Sequence, residues 1–171
     1  MGSGKSTMGR SLSRHLNLPL IDLDIFIESR FHRTVKEIFA ERGEEGFRII
    51  ERNMLHEVGE FENVIVACGG GTPCHFDNMD YMNSCGVTVF LNASHEAILR
   101  RLSTPKAKAK RPIIADKTNE ELLEFITEAM KQRAPHYTKA MYTFDSSYLE
   151  DSPQVEESTL ALAKIIASHN E

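Results

Sequence analysis

Cysteine is scarce in this 171-residue chain, and its spacing excludes more than its number does. Cys68, Cys74 and Cys85 are odd in count and contain no C-x-x-C pair. A disulfide framework is therefore not expected, and a reducing cytosol is the expected setting. Long apolar runs are missing as well: nothing approaches the ~20 residues of a membrane span, and the N-terminus has no signal-peptide stretch. The sequence thus reads as a cytoplasmic protein without a membrane segment. Excess positive charge is absent too. A formal charge of −5 argues against a general nucleic-acid binder, while leaving room for a local basic patch that holds small anions. The seven histidines show no metal-binding spacing such as H-E-x-x-H and are expected at the surface or with satisfied rings. No repeat or linker interrupts residues 1–171, so one domain is expected. What remains is ordinary globular material, 41% hydrophobic and 26% charged, enough for a real core.

Short β-branched runs alternate with longer helical patterns. Leu18 to Asp24, Asn63 to Gly71, Gly86 to Ser94 and Met141 to Ser147 read as strands. Helices are expected from about Ser6 to Leu16, Val35 to Gly59, Glu96 to Leu102, Asn119 to Lys131 and Pro153 to Ala167. Such alternation predicts a three-layer α/β/α fold around a central parallel sheet. Ligands of these sheets bind beyond the carboxyl ends of the strands, where Gly4-Lys5-Ser6, Asp22, Asp24 and Gly69-Gly70-Gly71 would gather.

"MGSGKST" matches the second half of a phosphate-binding loop, G-x-x-x-x-G-K-[ST]. Gly2 and Gly4 would turn backbone N–H groups inward, and the following helix would add its positive end. Lys5 would reach the β- and γ-phosphates, and Ser6 would place its hydroxyl on Mg²⁺. The bland alternative is a chance glycine-rich helix start. "LIDLD" sets Asp22 and Asp24 two apart at a strand end, suited to metal-water coordination and hydroxyl activation, although Asp is also a common turn former. "GEEGFRIIERN" puts Arg48 and Glu51 one turn apart, a spacing that usually means a solvated surface pair. "CGGGTP" has three consecutive glycines where a ligand can approach the main chain, or simply a flexible turn. Cys68 is expected as a small core residue. "KAKAKRP" is a basic segment that can close over a transferred group, and "KQRAPHY" sets Arg133 at a helix end with Pro135 expected to break the helix.

The ordered set GSGKST, D-L-D, I-F-x-x-x-G-E-x-x-F-R-x-x-E, GGG, R-P-I and K-Q-R-A-P-x-Y resembles the shikimate kinase family of P-loop, nucleoside-monophosphate-kinase-like proteins, from Met1 to about Tyr148. The resemblance implies an ATP-dependent kinase that phosphorylates the 3-hydroxyl of shikimate in aromatic amino-acid biosynthesis, Mg²⁺-dependent and monomeric, with ATP and shikimate as its partners. It implies nucleotide contacts from Gly2, Ser3, Gly4, Lys5, Ser6 and Thr7, with Arg101 stacking on adenine and Arg111 swinging in with a lid over residues 104–115. Ser6 and Asp22 would serve the metal. Asp24 would orient or deprotonate the attacking hydroxyl, with Lys5 and Arg111 acting on the phosphates. Arg48 and Arg133 would grip the carboxylate beside Gly69, Gly70 and Gly71, against an apolar wall of Phe39 and Phe47. Arginines offer planar paired donors for a small carboxylate, and phosphoryl transfer needs positioning and charge neutralisation above all.

The chain departs from the family pattern in three places. The lid is longer and richer in lysine, residues 146–153 lack an arginine that often lines the adenine, and the phosphate loop lacks its leading glycine. The last departure carries the expectation that a strand of ~5–6 residues and the loop's first residues, about 8–10 in all, lie upstream of Met1. The sheet should then be interrupted between the strands ending near Gly69 and Ser94. Two other readings stay open: another small-metabolite kinase such as a gluconate kinase, and a non-catalytic nucleotide-binding remnant.

Overall fold

The computed structural model describes residues 1–109 and 111–169. Helix α1 (Lys5–Leu16) leads to strand β1 (Leu20–Asp22), α2 (Leu23–Phe31), α3 (Val35–Gly59) and β2 (Ile65–Ala67). A 3₁₀ turn at Thr72–Cys74 precedes α4 (Asn78–Cys85), β3 (Val89–Asn92), α5 (His95–Leu102) and the short α6 (Pro105–Ala109). A second 3₁₀ turn at Pro112–Ile114 joins to α7 (Asn119–Tyr137), β4 (Tyr142–Asp145) and α8 (Ser152–His169).

Local chemistry sets the helix starts. Thr34 and Glu37 form a reciprocal capping box for α3, Thr118 and Glu121 do the same for α7, and the Ser94 hydroxyl caps α5; such caps satisfy N–H groups that a helix start would otherwise orphan. Among the described residues all strand pairing is parallel, β1 with β2 and β3 with β4. No pairing joins β2 to β3, so the sheet is interrupted where the sequence predicted it.

Alternating side chains cover both faces. Val66 packs into a core with Leu23, Ile27, Ile38 and Phe47, whereas its neighbour Ile65 joins Met8, Leu12 and Leu162, as the two-residue period of a strand requires. Thus α2, α3 and α4 lie on one side and α1 with α8 on the other, the three-layer arrangement expected. A third cluster, Ala97, Ile98, Leu102, Ile114, Leu122 and Ile126, ties α5 to α7.

The structure corrects several local expectations. The first strand stops at Asp22, which becomes the N-cap of α2, its side chain accepting a hydrogen bond from the Asp24 N–H. Asp24 therefore sits in a helix's first turn, not on a strand, because the aspartate's capping preference outweighs the apolar run. Helices α2, α4 and α6 were not foreseen. Pro135 does not break α7, which continues to Tyr137. It is exposed in the last turn, where the missing N–H removes one bond and Thr138 N–H still closes onto the Ala134 carbonyl.

Helix α3 bends sharply at Gly43, whose φ of 68° and ψ of −177° belong to glycine alone. The rings of Phe39 and Phe47 stack with centroids 4.3 Å apart. Eight residues of straight helix rise ~12 Å, so only the bend lets these two rings meet.

Candidate active site

Gly4 caps α1 in the left-handed region, φ 89°, and no side chain caps the helix; its first turn holds no acidic residue. The leading N–H groups of α1 are left for a ligand, and the helix dipole makes that ligand an anion. Leu149 covers the loop from the other side. A Cβ on Gly4 would lie 2.4 Å from its Cδ1, so the position admits only glycine. Ser3 lies inside the loop, and Ser6 is exposed on the first turn. Thr7 opens onto a groove of about 790 Å³ between α1 and the start of α8, shared with Ser11, Leu149 and Ser152.

Lys5 reaches across to β1. Its Nζ lies 3.0 Å from Asp22 Oδ2 and 3.4 Å from the Ala67 carbonyl. One carboxylate thus holds the lysine and, through its other oxygen, fixes the turn that presents Asp24. Burial pushes the Asp24 carboxyl above its ordinary range; Lys5 opposes this, while Asp22, Glu51 and Glu28 reinforce it. A raised carboxyl pKa beside a lysine suits a proton acceptor.

The three glycines line the far wall, each against a different partner. A Cβ on Gly69 would fall 3.6 Å from Asp24 Oδ1, one on Gly70 3.2 Å from Arg133 Nη1, and one on Gly71 2.6 Å from Arg48 Nη2. The turn therefore brings the predicted acid and both predicted arginines to one surface. Arg48 also lies over the Phe39 and Phe47 rings, 5.9 and 5.3 Å from their centroids, so the bend at Gly43 builds the apolar wall against which the arginine rests.

Arg48 is not the solvated surface residue its spacing predicts. Its Nη1 donates to Glu51 Oε2 at 2.6 Å, and Glu51, only 1% exposed, takes a second hydrogen bond from Thr72 Oγ1 at 2.7 Å. Buried Asn78 ties the same turn through the Thr72 carbonyl. Glu51, Thr72 and Asn78 are supports that the residue-by-residue reading missed. The signal for Glu51 was present in F-R-x-x-E; its burial was not.

Arg133 stands beside the start of the phosphate loop: a Cβ on Gly70 would lie 3.2 Å from its Nη1 and 3.9 Å from the Met1 nitrogen. Arg111 Nη1 bonds to the Ala107 carbonyl, in the short helix α6, Pro105–Ala109, of the lid. Its far end is pinned by Ile114, fully buried. Arg101 stands beside the glycine loop, and its guanidinium is taken up by the carbonyls of Gly2, Ser146 and Ser147 and by Glu150. Cys68 is the packing residue predicted: burial holds its thiol well above the usual range, leaving no thiolate nucleophile. His56 departs from expectation, since its buried Nε2 has no hydrogen-bond partner.

A glycine-opened helix with bare N–H groups, a lysine held by a carboxylate and an arginine-bearing lid, all on a parallel α/β scaffold, define a P-loop kinase. The comparisons carry this further. The shikimate kinase family model matches residues 1–164. The shikimate kinase of Bacteroides thetaiotaomicron is 53% identical over 166 residues, covering 97% of this chain and 94% of that one, and that of Flavobacterium johnsoniae is 37% identical over 98% of this chain and 95% of its own. A crystal structure of the B. thetaiotaomicron enzyme superimposes with a TM-score of 0.93 over 98% of this chain and 94% of that chain. The Acinetobacter baumannii shikimate kinase in complex with shikimate gives 0.80 at 29% identity, over 99% and 89%. The chain belongs to the shikimate kinase family, and so to the ATP-dependent small-molecule kinases.

Proposed function

We propose that this chain transfers the γ-phosphoryl group of ATP to the 3-hydroxyl of shikimate, giving shikimate 3-phosphate and ADP, with the residues gathered above as its machinery. The observation that carries the reading is the triple-glycine turn, against which Asp24, Arg133 and Arg48 lie in succession. Arg48 and Arg133 hold the shikimate carboxylate, and the Gly69 to Gly71 backbone and the Phe39/Phe47 wall receive the ring. Asp24 takes the proton of the attacking hydroxyl as its oxygen bonds to the γ-phosphorus and the bond to the ADP oxygen breaks. Gly2, Ser3, Gly4, Lys5, Ser6 and Thr7 hold the phosphates, and Arg111 offsets their charge when the lid closes, excluding water that would compete as acceptor. The groove beside Thr7 takes the nucleoside, with Arg101 bonded to Glu150 on its lining. The enzyme acts as a cytoplasmic monomer.

The residues fit Mg²⁺ as the metal. Ser6 offers an exposed hydroxyl on the first turn of α1, and the Asp22 carboxylate stands beside Lys5. Among the described residues no three His, Cys, Asp or Glu side chains converge, so the ion would take most ligands from water and phosphate, as Mg²⁺ does. Bound there, Mg²⁺ neutralises charge on the β- and γ-phosphates.

Turnover of ATP with shikimate, with gluconate as the competing acceptor, tests the reaction. Arg133→Ala and Arg48→Ala should each lower kcat/KM for shikimate roughly 30- to 1,000-fold, the ~2–4 kcal/mol of a lost charged partner, while sparing ATP binding. Arg48→Ala should also unfold more easily, since it strands the buried Glu51 charge. Turnover with gluconate alone, or unaltered shikimate kinetics in both variants, refutes the assignment.

A further inference from the structure

Tyr137, the last residue of α7, has no part in the machinery described so far, yet its hydroxyl reaches into the substrate wall. The phenol donates to the Gly70 carbonyl at 2.6 Å. The ring is held from behind by Phe90 of β3, centroids 4.9 Å apart at 35°, so the hydroxyl is aimed by packing. A Cβ on Gly70 would meet that hydroxyl at 3.1 Å and Arg133 Nη1 at 3.2 Å; the tyrosine and the arginine, four residues apart on one helix face, grip the same residue together. The Cys74 thiol, 3.7 Å from the same carbonyl oxygen, adds only a weak contact. Burial raises the phenol's pKa, with Arg133 opposing, so the group remains a protonated donor throughout the neutral range. A trans peptide points its carbonyl and its following N–H in opposite directions. Fixing the Gly70 carbonyl toward Tyr137 therefore also fixes the Gly71 N–H, on the side away from Tyr137.

We propose that Tyr137 is a positioning residue for the acceptor substrate: its hydroxyl locks the Gly70–Gly71 peptide plane and spaces that plane from Arg133, so that the glycine backbone and the arginine meet shikimate in one fixed geometry. The proposal rests on the reading of Gly70, Gly71 and Arg133 as acceptor contacts. A residue that merely braced the fold would influence both substrates alike. One that sets this peptide affects shikimate binding and leaves the nucleotide side, built on α1, untouched.

The test is Tyr137→Phe in the full chain, which keeps the ring on Phe90 and removes one hydroxyl. The expected result is a rise of about 5- to 30-fold in KM for shikimate, the scale of one hydrogen bond lost within a closed site. KM for ATP should stay within twofold, kcat should fall less than threefold, and direct shikimate binding by calorimetry should weaken by the same factor as KM. Gly70→Ala should raise KM for shikimate too, and the double variant should show less than the product of the two single effects, because both act on one contact. Unchanged shikimate binding in Tyr137→Phe overturns the proposal, as does a parallel rise in both KM values with a lowered melting temperature. Arg133→Ala, measured alongside, separates the two levels. If it weakens shikimate use and Tyr137→Phe does not, only the role of Tyr137 fails; if neither does, the acceptor site itself has been misplaced.

Discussion

Gly71→Ala asks the structure a narrow question, since it adds one carbon to the turn and nothing else. Gly71 has φ −86° and ψ −25°, ordinary right-handed backbone, so alanine is not strained there and even removes some freedom from the unfolded chain, a gain of ~0.4–1 kcal/mol. The added Cβ, however, would lie 2.6 Å from Arg48 Nη2 and 2.9 Å from its Cζ and Nη1. An ordinary contact begins near 3.4 Å, so the guanidinium must retreat by most of an ångström. It retreats away from the turn, stretching the 2.6 Å pair with Glu51 and leaving the place where a carboxylate would sit. Because the obstructed atoms end a flexible side chain, the fold survives. Full loss of the contact would cost ~2–4 kcal/mol; displacement should cost about 1–2 kcal/mol, or roughly 5- to 30-fold in KM for shikimate. Steady-state kinetics with each substrate varied, together with a melting curve, decide the matter. An unchanged shikimate KM in a normally melting Gly71→Ala protein would refute the placement of Arg48 at the acceptor carboxylate.

Arg111→Ala should lower kcat more than it raises KM for either substrate, and residues 105–114 should gain amide protection when ATP and shikimate bind together; equal protection with and without them counts against a closing lid. Asp24→Asn should abolish most turnover yet raise the melting temperature at neutral pH. Burial raises the folded-state pKa of Asp24 above its ordinary 3.8, so the native protein binds this proton more tightly than the unfolded chain, and stability is lost as pH climbs from below 3.8 through the raised value. The advantage of the Asn variant should therefore vanish below that window, and a pH series of melting curves reads it. Gly43→Ala should cost ~1–3 kcal/mol and several degrees of melting temperature, because φ 68° with ψ −177° is closed to alanine. Its KM for shikimate should rise as the Phe39/Phe47 wall opens.

Much of this molecule was legible because its signals are local. Alternating strand and helix patterns revealed the layered fold, and the helix expected from Val35 to about Gly59 is present, though bent at Gly43. The ordered motifs named in advance the residues that converge around the glycine turn. What escaped had competing or non-local causes. The run Leu18 to Asp24 was read as a strand to its end, yet Asp22 caps a helix there. Arg48 and Glu51 carry a spacing that on an exposed helix means little. What makes the pair matter is Thr72, twenty-one residues away, closing over Glu51. The bend at Gly43 leaves only a gap in the apolar pattern, Glu41 to Gly46, and such a gap does not say that Phe39 and Phe47 meet across it. The lysine-rich lid has no apolar periodicity of its own, and Ile114, which anchors it, packs against Leu102 and Leu122 on other elements.

The bonds of Arg101 have a consequence for the order in which the protein is made. They join Gly2, ninety-nine residues away, to Ser146, Ser147 and Glu150, while Leu149, Leu162 and Ala163 complete the core under α1. The phosphate loop thus leaves the ribosome long before its packing partners. At roughly 5–20 residues per second, the glycine loop waits ~7–30 s, with its helix start bare, until α8 emerges. The arm of α2, α3 and α4, closed by contacts within residues 21–82, has no such delay. Asp24, Arg48 and the glycine turn can take shape on the nascent chain ahead of Arg133 on α7, and the nucleotide side is completed only once α8 has emerged.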